Sequence, residues 1–178
     1  MANNYNFLLA GFGGQGILFA GKVIAYTGMI DGKELSWLPS YGPEMRGGTA
    51  NCSVCLSDEP IGSPLVLNPN GLIVMNLPSY DKFIDTVVPG GVAVIDSTLI
   101  DKQCGRTDIG AFYVPATGLA DSENLKGLAN MILLGKLLKE TGFTSIDSVV
   151  TAMQKCIPPK KQHLLEPNEK AVRIGMSL

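Results

Sequence analysis

The chain has 178 residues, of which 46% are hydrophobic and 17% are charged, and its formal net charge is −2. This length supports one domain with its own core, and a near-neutral chain without a basic block is not typical of nucleic-acid-binding proteins. No apolar run approaches the roughly 20 residues of a membrane-spanning helix, and MANNYNFLLAG predicts a first strand rather than a signal peptide. We therefore expect a cytoplasmic protein with a single domain over residues 1–178. Its low charge fraction suggests that a partner covers part of its surface.

Six segments carry the apolar and β-branched residues typical of strands, and helix candidates lie between several of them. The predicted strands are residues 5–10, 33–38, 50–56, 71–75, 92–96 and 111–115. Two of these strands, in GLIVMN and GVAVID, are continuous apolar runs, as expected for parallel strands covered on both faces. The pattern predicts an α/β fold of three layers, a Rossmann-like, mostly parallel sheet with helices on both faces.

Helices are predicted between the strands and through most of the second half. PSYDKFIDTV forms a helix between the fourth and fifth strands. SENLKGLANMILLGKLLKETG is predicted to begin at a Ser122 cap and to end at Gly142. Its apolar residues cover more than one stripe, so we expect a helix that is central or sandwiched against another chain. Ser145 is predicted to cap the next helix, and the helical tail from about residue 158 is expected to add one or two turns.

The sequence GFGGQG occupies residues 11–16, directly after the first predicted strand and before the helix of ILFAGKVIAY. A strand, a glycine turn and a helix amino terminus together present outward N–H groups and the positive end of a helix dipole, which suits an anion. Gly11 permits the tight turn, Gly13 allows a ligand to approach closely, and Gly16 permits close packing of helix and strand. Gln15 adds an amide that can donate or accept at the mouth of the site.

Two other interpretations of this turn stay open. A dinucleotide site also needs an acidic residue at the end of the next strand to hold the ribose hydroxyls. The next predicted strand, KELSWL, has Glu34 at its beginning, which is the wrong end, so the dinucleotide interpretation is weak. The turn could also serve packing alone, without any ligand.

A second unusual segment, SYGPEMRGGTANC, follows that strand. Long structured loops at the carboxyl ends of strands are where α/β proteins place their binding sites. Arg46, beside Gly47 and Gly48, is a candidate anion clamp, because its guanidinium fork can approach an anion while the glycines expose backbone N–H groups. Glu44 could instead pair with Arg46 and make the cluster purely structural. We expect this segment and the glycine turn to share one sheet edge and one site.

Neither metal ligation nor nucleophilic catalysis is indicated. Cys52 and Cys55 form one C-x-x-C pair on a predicted strand, where positions three apart face opposite sides, so we expect structural cysteines and no metal site. The only histidine, His163, lies in the tail and is expected at the surface. Asp96 is a strand-end acid without an evident partner. The chain alone therefore lacks the residues for a reaction.

The segments GFGGQGILFAGKVIA and SYGPEMRGGTANCSVCLSDEPIGSP, at this spacing, closely resemble the gamma subunit of 2-oxoacid:ferredoxin oxidoreductases. The resemblance continues through GLIVMNLPSYDKF and NMILLG and so covers most of the chain. It implies a multi-subunit enzyme that oxidatively decarboxylates a 2-oxoacid, with 2-oxoglutarate the expected substrate, to its acyl-CoA. Ferredoxin or a similar acceptor receives the electrons. The chain alone is expected to be inactive.

The resemblance also implies that cofactors are held elsewhere. Thiamine diphosphate with magnesium is expected between the alpha and beta subunits, and iron–sulfur clusters in partner subunits that include a ferredoxin-like delta subunit. This chain would pack on the catalytic subunits and help to bind coenzyme A. The residues expected to line that contact are Gly11, Gly13, Gly14, Gln15, Gly16, Tyr41, Gly42, Glu44, Arg46, Gly47 and Gly48. The alternative is a stand-alone nucleotide-binding or regulatory module.

Overall fold

The computed structural model describes residues 4–40 and 49–178. Six strands form one sheet: β1 (Tyr5–Phe12), β2 (Glu34–Ser40), β3 (Thr49–Ser57), β4 (Gly71–Val74), β5 (Val92–Asp96) and β6 (Gly110–Val114). Six α-helices accompany it: α1 (Ile17–Ile30), α2 (Leu77–Phe83), α3 (Ala116–Ser122), α4 (Ala129–Thr141), α5 (Ile146–Cys156) and α6 (Leu165–Ser177). Short 3₁₀ segments follow α2 and precede α6. All six predicted strands are confirmed.

The sheet has the strand order β2-β3-β1-β4-β5-β6. Strands β1, β4, β5 and β6 pair in parallel, whereas β3 is antiparallel to both β1 and β2. Strand β2 therefore runs in the same direction as β1, and β3 is the one strand that runs against the others. The prediction of a Rossmann-like, mostly parallel sheet is confirmed.

Apolar residues alternate between the two faces of the sheet and build two cores. On one face, Phe7 and Leu9 of β1 pack with helices α1 and α3 to α6. On the other, Leu8 and Ala10 pack with Tyr80 of α2 and with neighbouring loops. The three layers predicted from the sequence are confirmed, but five of the six helices lie on the same face. Within residues 4–40 and 49–178, no helix is both long and apolar enough to cross a membrane.

Helix α4 is the centre of the helical layer. All ten residues from 129 to 138 are buried, and the helix packs against α3, α6 and strands β4 and β5. Two glycines let α4 and α6 cross closely, because a Cβ on Gly135 would lie 2.0 Å from the carbonyl oxygen of Val172, and a Cβ on Gly175 would lie 1.9 Å from that of Ile132. The sequence left open whether this helix is central or sandwiched against another chain, and the structure shows that it is central within its own chain.

The predicted start of this helix was wrong. Ser122 is the last residue of α3, and its hydroxyl donates to the carbonyl oxygen of Leu119, 3.0 Å away. The backbone then adopts positive φ at Asn124 (56°) and Gly127 (83°), which ends one helix before the next begins at Ala129. The predicted end is confirmed, since Gly142 takes the left-handed conformation that closes a helix.

The two carboxyl-terminal helices gave one confirmed and one wrong prediction. Ser145 caps α5 by accepting a hydrogen bond from the N–H of Ser148 at 3.0 Å, as expected. The tail is more helical than predicted, because α6 has 13 residues rather than one or two turns. Pro167 falls in its first turn, where proline is tolerated. That residues 1–178 form a single domain stays a prediction.

Candidate functional site

The glycine turn connects β1 to α1 at the carboxyl edge of the sheet. Gly14 and Gly16 have φ of 94° and 76°, values that side-chain-bearing residues rarely adopt. Within residues 13–16, the N–H of Gln15 donates to the carbonyl oxygen of Phe12, and no other N–H of the turn has a backbone acceptor among the described residues. The other N–H groups of the turn lie at the amino terminus of α1, which has no side-chain cap. This is the arrangement that favours an anion.

The side chain of Gln15 does not point outward as the sequence suggested but joins two strand ends. Its Nε2 donates to the carbonyl oxygen of Met75, just after β4, at 2.9 Å. Its Oε1 accepts from the N–H of Phe12 at 2.6 Å. The amide thus bridges β1 and β4, and it fixes the turn. Gly11 lies under this bridge, because a Cβ there would come within 2.6 Å of the Gln15 oxygen.

A buried asparagine holds the other end of the turn. Asn130 of α4 donates its Nδ2 to the carbonyl oxygen of Gly16 at 2.9 Å. The sequence interpretation missed this residue. The available signal was a single polar side chain inside the buried run ANMILLG, since a buried amide must find a partner.

The turn stands where the connections of the sheet change direction. From β1 the chain leads first to β2 and β3 on one side and later to β4, β5 and β6 on the other. Ligands in open α/β sheets bind in the crevice at such a switch point, outside the carboxyl ends of the strands. A cavity of about 200 Å³ lies here, lined by Gly14, Gln15, Met75, Leu99, Thr117, Ala120, Asp121, Gly127 and Ala129.

A second cavity, of about 310 Å³, lies on the other side of the turn. Its described lining comes from the turn itself, the first residues of α1 and the start of β3: Phe12, Gly13, Gly14, Gly16, Ile17, Leu18, Phe19 and Ala50. Gly14 and Gly16 belong to this cavity, and Gly14 lines the first one as well. The turn therefore separates two concave surfaces at one edge of the sheet.

The second predicted segment leaves and re-enters the sheet beside the glycine turn. Ser40 ends β2 and pairs with Asn51, while Thr49 begins β3 and pairs with Phe12. Both ends of residues 41–48 are thus at the edge that carries the turn. The predicted site residues Tyr41, Gly42, Glu44, Arg46, Gly47 and Gly48 lie outside the described residues, so their roles stay predictions.

The sheet also explains why the turn lacks the partner that a dinucleotide needs. The strand beside β1 on this side is β3, which is antiparallel and begins at this edge rather than ending there. On the β3 side of β1, the described strands therefore offer no neighbouring carboxyl end for the ribose-binding acid of the fingerprint. Glu34 is the first residue of β2, at the far edge, as the sequence suggested.

Asp96 has partners that the sequence did not reveal. It is fully buried at the end of β5. Its carboxylate accepts from the hydroxyl of Thr117 at 2.6 Å and from the N–H of Thr98 at 3.1 Å. Because these bonds connect β5 to the start of α3, Asp96 holds one wall of the smaller cavity.

The cysteine pair has the geometry predicted for a strand. Cys52 lies in the core beneath α1 and Cys55 in the opposite core. Burial raises the pKa of the Cys52 thiol to about 12, although the Trp37 side chain partly offsets this. Within residues 4–40 and 49–178, no group of three His, Cys, Asp or Glu side chains could hold a metal ion. His163 is exposed, as predicted.

Comparisons with known proteins place this architecture among oxidoreductase subunits. Residues 6–178 match the family "Pyruvate ferredoxin/flavodoxin oxidoreductase". The ketoisovalerate oxidoreductase subunit VorA of Methanothermobacter thermautotrophicus is 41% identical over 139 residues, which is 78% of this chain and 28% of that protein. The 2-oxoglutarate synthase subunit KorC of Methanocaldococcus jannaschii is 37% identical over 153 residues, which is 84% of this chain and 82% of that protein.

A solved structure gives the same picture. The keto/oxoacid ferredoxin oxidoreductase gamma subunit from Geobacter sulfurreducens superposes with a TM-score of 0.83 and 27% identity, covering 97% of this chain and 96% of that one. Against the two VorA relatives, in contrast, the chain spans under a third of their length. None of these relatives is named as a stand-alone nucleotide-binding or regulatory module.

Proposed function

The chain belongs to the pyruvate ferredoxin/flavodoxin oxidoreductase family, and from this premise we propose that it is the gamma subunit of a multi-subunit 2-oxoacid:ferredoxin oxidoreductase. The complete enzyme cleaves the bond between the carboxylate and the oxo carbon of its substrate and releases carbon dioxide. It transfers the acyl group to the thiol of coenzyme A and passes the electron pair to ferredoxin or a similar acceptor. We place this complex in the cytoplasm.

The substrate we propose is 2-oxoglutarate. The KorC relative supports it, because that alignment covers more than four fifths of both chains. A branched-chain oxoacid is the second candidate, favoured by the higher identity to VorA. The selectivity itself is expected in the thiamine-binding subunits, so an assay of the assembled enzyme decides between the two acids.

The redox cofactors do not fit the described part of this chain. An iron–sulfur cluster takes several cysteine thiolates converging on one point, whereas Cys52 and Cys55 lie in opposite cores. A magnesium-bound diphosphate would need oxygen ligands grouped together, and the described residues contain no such acidic group. We therefore assign thiamine diphosphate, magnesium and the clusters to alpha, beta and ferredoxin-like delta subunits.

Coenzyme A, in contrast, fits the glycine turn. Its phosphates are anions, and the turn offers N–H groups of Gly13, Gly14 and Gly16 at the positive end of α1. Coenzyme A supplies the thiol that accepts the acyl group, and this chain would orient that carrier from its phosphate end. The observation that carries the proposal is the uncapped helix start at the switch point, between two cavities. We assign Arg46 to the same anion.

The carboxyl edge of the sheet is also suited to packing on another subunit. Each of three neighbouring parallel strands has an exposed large apolar side chain at or just beyond its carboxyl end, namely Phe12 at the end of β1, Leu77 after β4 and Leu99 after β5. An apolar rim around a concave polar site is typical of an interface. We propose that the alpha or beta subunit covers it and completes the site.

A charge placed at Gly14 tests this assignment. A Cβ at Gly14 would meet nothing within 4 Å, so a side chain fits, and Asn and Asp tolerate positive φ better than other residues. In the reconstituted complex, Gly14→Asp should raise the apparent KM for coenzyme A roughly tenfold over that of Gly14→Asn, because only the carboxylate repels a phosphate. Equal KM values in the two variants would contradict the assignment while leaving the oxidoreductase role intact.

A further inference from the structure

Strand β2 forms one outer edge of the sheet and carries an unusual number of exposed apolar side chains. Leu35, Trp37 and Leu38 are 38%, 36% and 39% exposed, and Ser36 is the one residue of the strand that is half-buried. Exposed edges are normally protected by charges, by proline or by short length, because their open main chain can pair with another strand. Here Glu34 and Pro39 stand near the ends of the strand, and the middle is Leu-Ser-Trp-Leu.

Apolar side chains extend this surface on both faces of the strand. Met29, at the end of α1, is 50% exposed on the face of Leu35 and Trp37. On the face of Leu38, Leu65 and Leu67 are 54% and 67% exposed. The loop of these leucines is fixed there, since the N–H of Val66 donates to the hydroxyl of Ser53, which pairs with Leu38. An occupant that covers both faces and continues the sheet must itself be a strand.

Pro39 determines which main-chain groups of β2 face outward. Proline has no N–H to donate, so in a sheet it occupies positions whose nitrogen faces away from the neighbouring strand. Pro39 pairs with Cys52 of β3. Main-chain direction alternates along a strand, so the residues two and four positions before Pro39 also direct their N–H and C=O groups away from β3. These are Leu35 and Trp37. Within residues 4–40 and 49–178, no strand pairs on that outer side.

This pattern is self-complementary, and we propose that β2 pairs antiparallel with β2 of a second copy of this chain. A twofold axis through Ser36 places Leu35 of one copy opposite Trp37 of the other, twice. Antiparallel residues of this kind exchange both of their main-chain hydrogen bonds. The two sheets join into one, and each Trp37 packs beside Leu35 and Met29 of the other copy. A register centred on Trp37 is poorer, because it would set Leu35, inside the strand, against Pro39, which lacks a donor, whereas the proposed register sets Pro39 against Lys33, outside β2.

The charges and the serine at the edge agree with this register. Glu34 would lie opposite Leu38, so the two carboxylates do not face each other. Lys33 would lie opposite Pro39, and its ammonium is already paired with Asp58 at 2.6 Å. The two Ser36 side chains would stand directly opposite each other. The Ser36 hydroxyl is buried and makes no hydrogen bond within the described part of the single chain, and in the pair it gains a partner.

The single tryptophan makes the pairing observable without a label. Trp37 is the only tryptophan of the chain, and its emission should shift to shorter wavelength and become less accessible to iodide as protein concentration rises. Sedimentation velocity over the same concentrations should show a monomer–dimer equilibrium. A chain that stays monomeric throughout, or one that pairs β2 with a different subunit instead, overturns the proposal.

Two substitutions, each with a matched control, test the register of the β2–β2 pair. Leu35→Pro removes an outward N–H, whereas Leu35→Ala removes similar apolar area and keeps that donor, so Leu35→Pro should raise the dimer dissociation constant by about a further tenfold. Ser36→Cys should form an intermolecular disulfide on mild oxidation, because Cα atoms of such opposed residues are close enough, while Leu99→Cys, after β5 at the carboxyl ends of the strands, should not. The cross-link stays informative if Leu35→Pro fails to fold. A dimer that Leu35→Pro does not weaken and that Ser36→Cys does not cross-link has its interface elsewhere, and this result overturns the proposal.

Discussion

Asn130 donates its side-chain amide to the carbonyl oxygen of Gly16, and this 2.9 Å bond ties the central helix α4 to the glycine turn. The contact is tight, since a Cβ on Gly16 would lie 2.5 Å from the Asn130 nitrogen. The shape of the candidate anion site therefore depends on a residue 114 positions away along the chain.

Removing this amide should affect both stability and ligand binding. Asn130→Ala removes one of two donors to the Gly16 carbonyl oxygen, which keeps the N–H of Ala20, so the free energy of unfolding should fall by about 1 kcal/mol in urea titrations. The apparent KM for coenzyme A in the assembled enzyme should also rise. Asn168→Ala is the matched control, because Asn168 is a buried amide that donates to the carbonyl oxygen of Leu164 and not to the glycine turn. It should lower stability without changing this KM, and an equal KM effect in both variants would contradict the positioning role of Asn130.

The crossing of α4 and α6 should tolerate no added methyl group. In Gly135→Ala the new Cβ would collide with the backbone of Val172, so we expect a loss of about 2–3 kcal/mol in the free energy of unfolding. Gly62→Ala is the control, because a Cβ there meets nothing within 4 Å and should change stability by less than about 0.5 kcal/mol. Similar unfolding midpoints for the two variants would show that the helices are not packed this closely.

The buried thiol of Cys52 should be unreactive in the folded chain. Its pKa is raised from 9.0 to about 12 by burial, and the thiolate is the reactive form. At about pH 8, iodoacetamide should label the half-buried Cys104 well before Cys52, as read by mass spectrometry, and unfolding should abolish the difference. Comparable labelling of both in the folded chain would argue against the placement of Cys52 beneath α1.

The same shift predicts the direction of a pH effect. Because the unfolded chain releases the Cys52 proton more readily than the folded one, the stabilising contribution is complete below pH 9.0 and is lost as the pH rises toward about 12. Cys52→Ala should therefore lose less stability than the native chain over this range. A steeper loss in the variant would contradict the sign.

Arg46 is the residue of the 41–48 segment with the sharpest test. If it contacts an anion, Arg46→Ala should raise the apparent KM for coenzyme A or weaken assembly with the partner subunits. Glu44→Gln distinguishes anion binding from a purely structural Glu44–Arg46 ion pair. The structural pair predicts the same small loss of stability for both substitutions and no effect on the KM for coenzyme A. An unaffected complex in Arg46→Ala would remove Arg46 from the site.

The strands were predictable because each is a short apolar run bounded by turn residues, and the two central ones are apolar on both faces. The reversed direction of β3 was not read from TANCSVCLS, because that pattern does not encode direction. The signal lay in the connection. Residues 41–48 are too few for a parallel crossover, which needs about a dozen residues or more, so β2 and β3 had to be antiparallel.

The errors in the helices have local causes. Ser122 resembles a cap, but the positive φ values at Asn124 and Gly127 break the helix before α4. The length of α6 was underestimated, and its Gly175 is required by packing, because α4 crosses so closely there. Neither the Gln15 bridge nor the Asn130 contact could be predicted, because both depend on which distant strand and helix pack beside the turn.

Purification of the tagged chain with its natural partners, followed by an assay, tests the central claim most directly. We expect it to co-purify with a thiamine-binding subunit and a ferredoxin-like subunit. The complex should reduce ferredoxin only when 2-oxoglutarate and coenzyme A are both present, and should form succinyl-CoA. A chain recovered alone that binds NAD with micromolar affinity, or a complex with no 2-oxoacid-dependent ferredoxin reduction, would contradict the account.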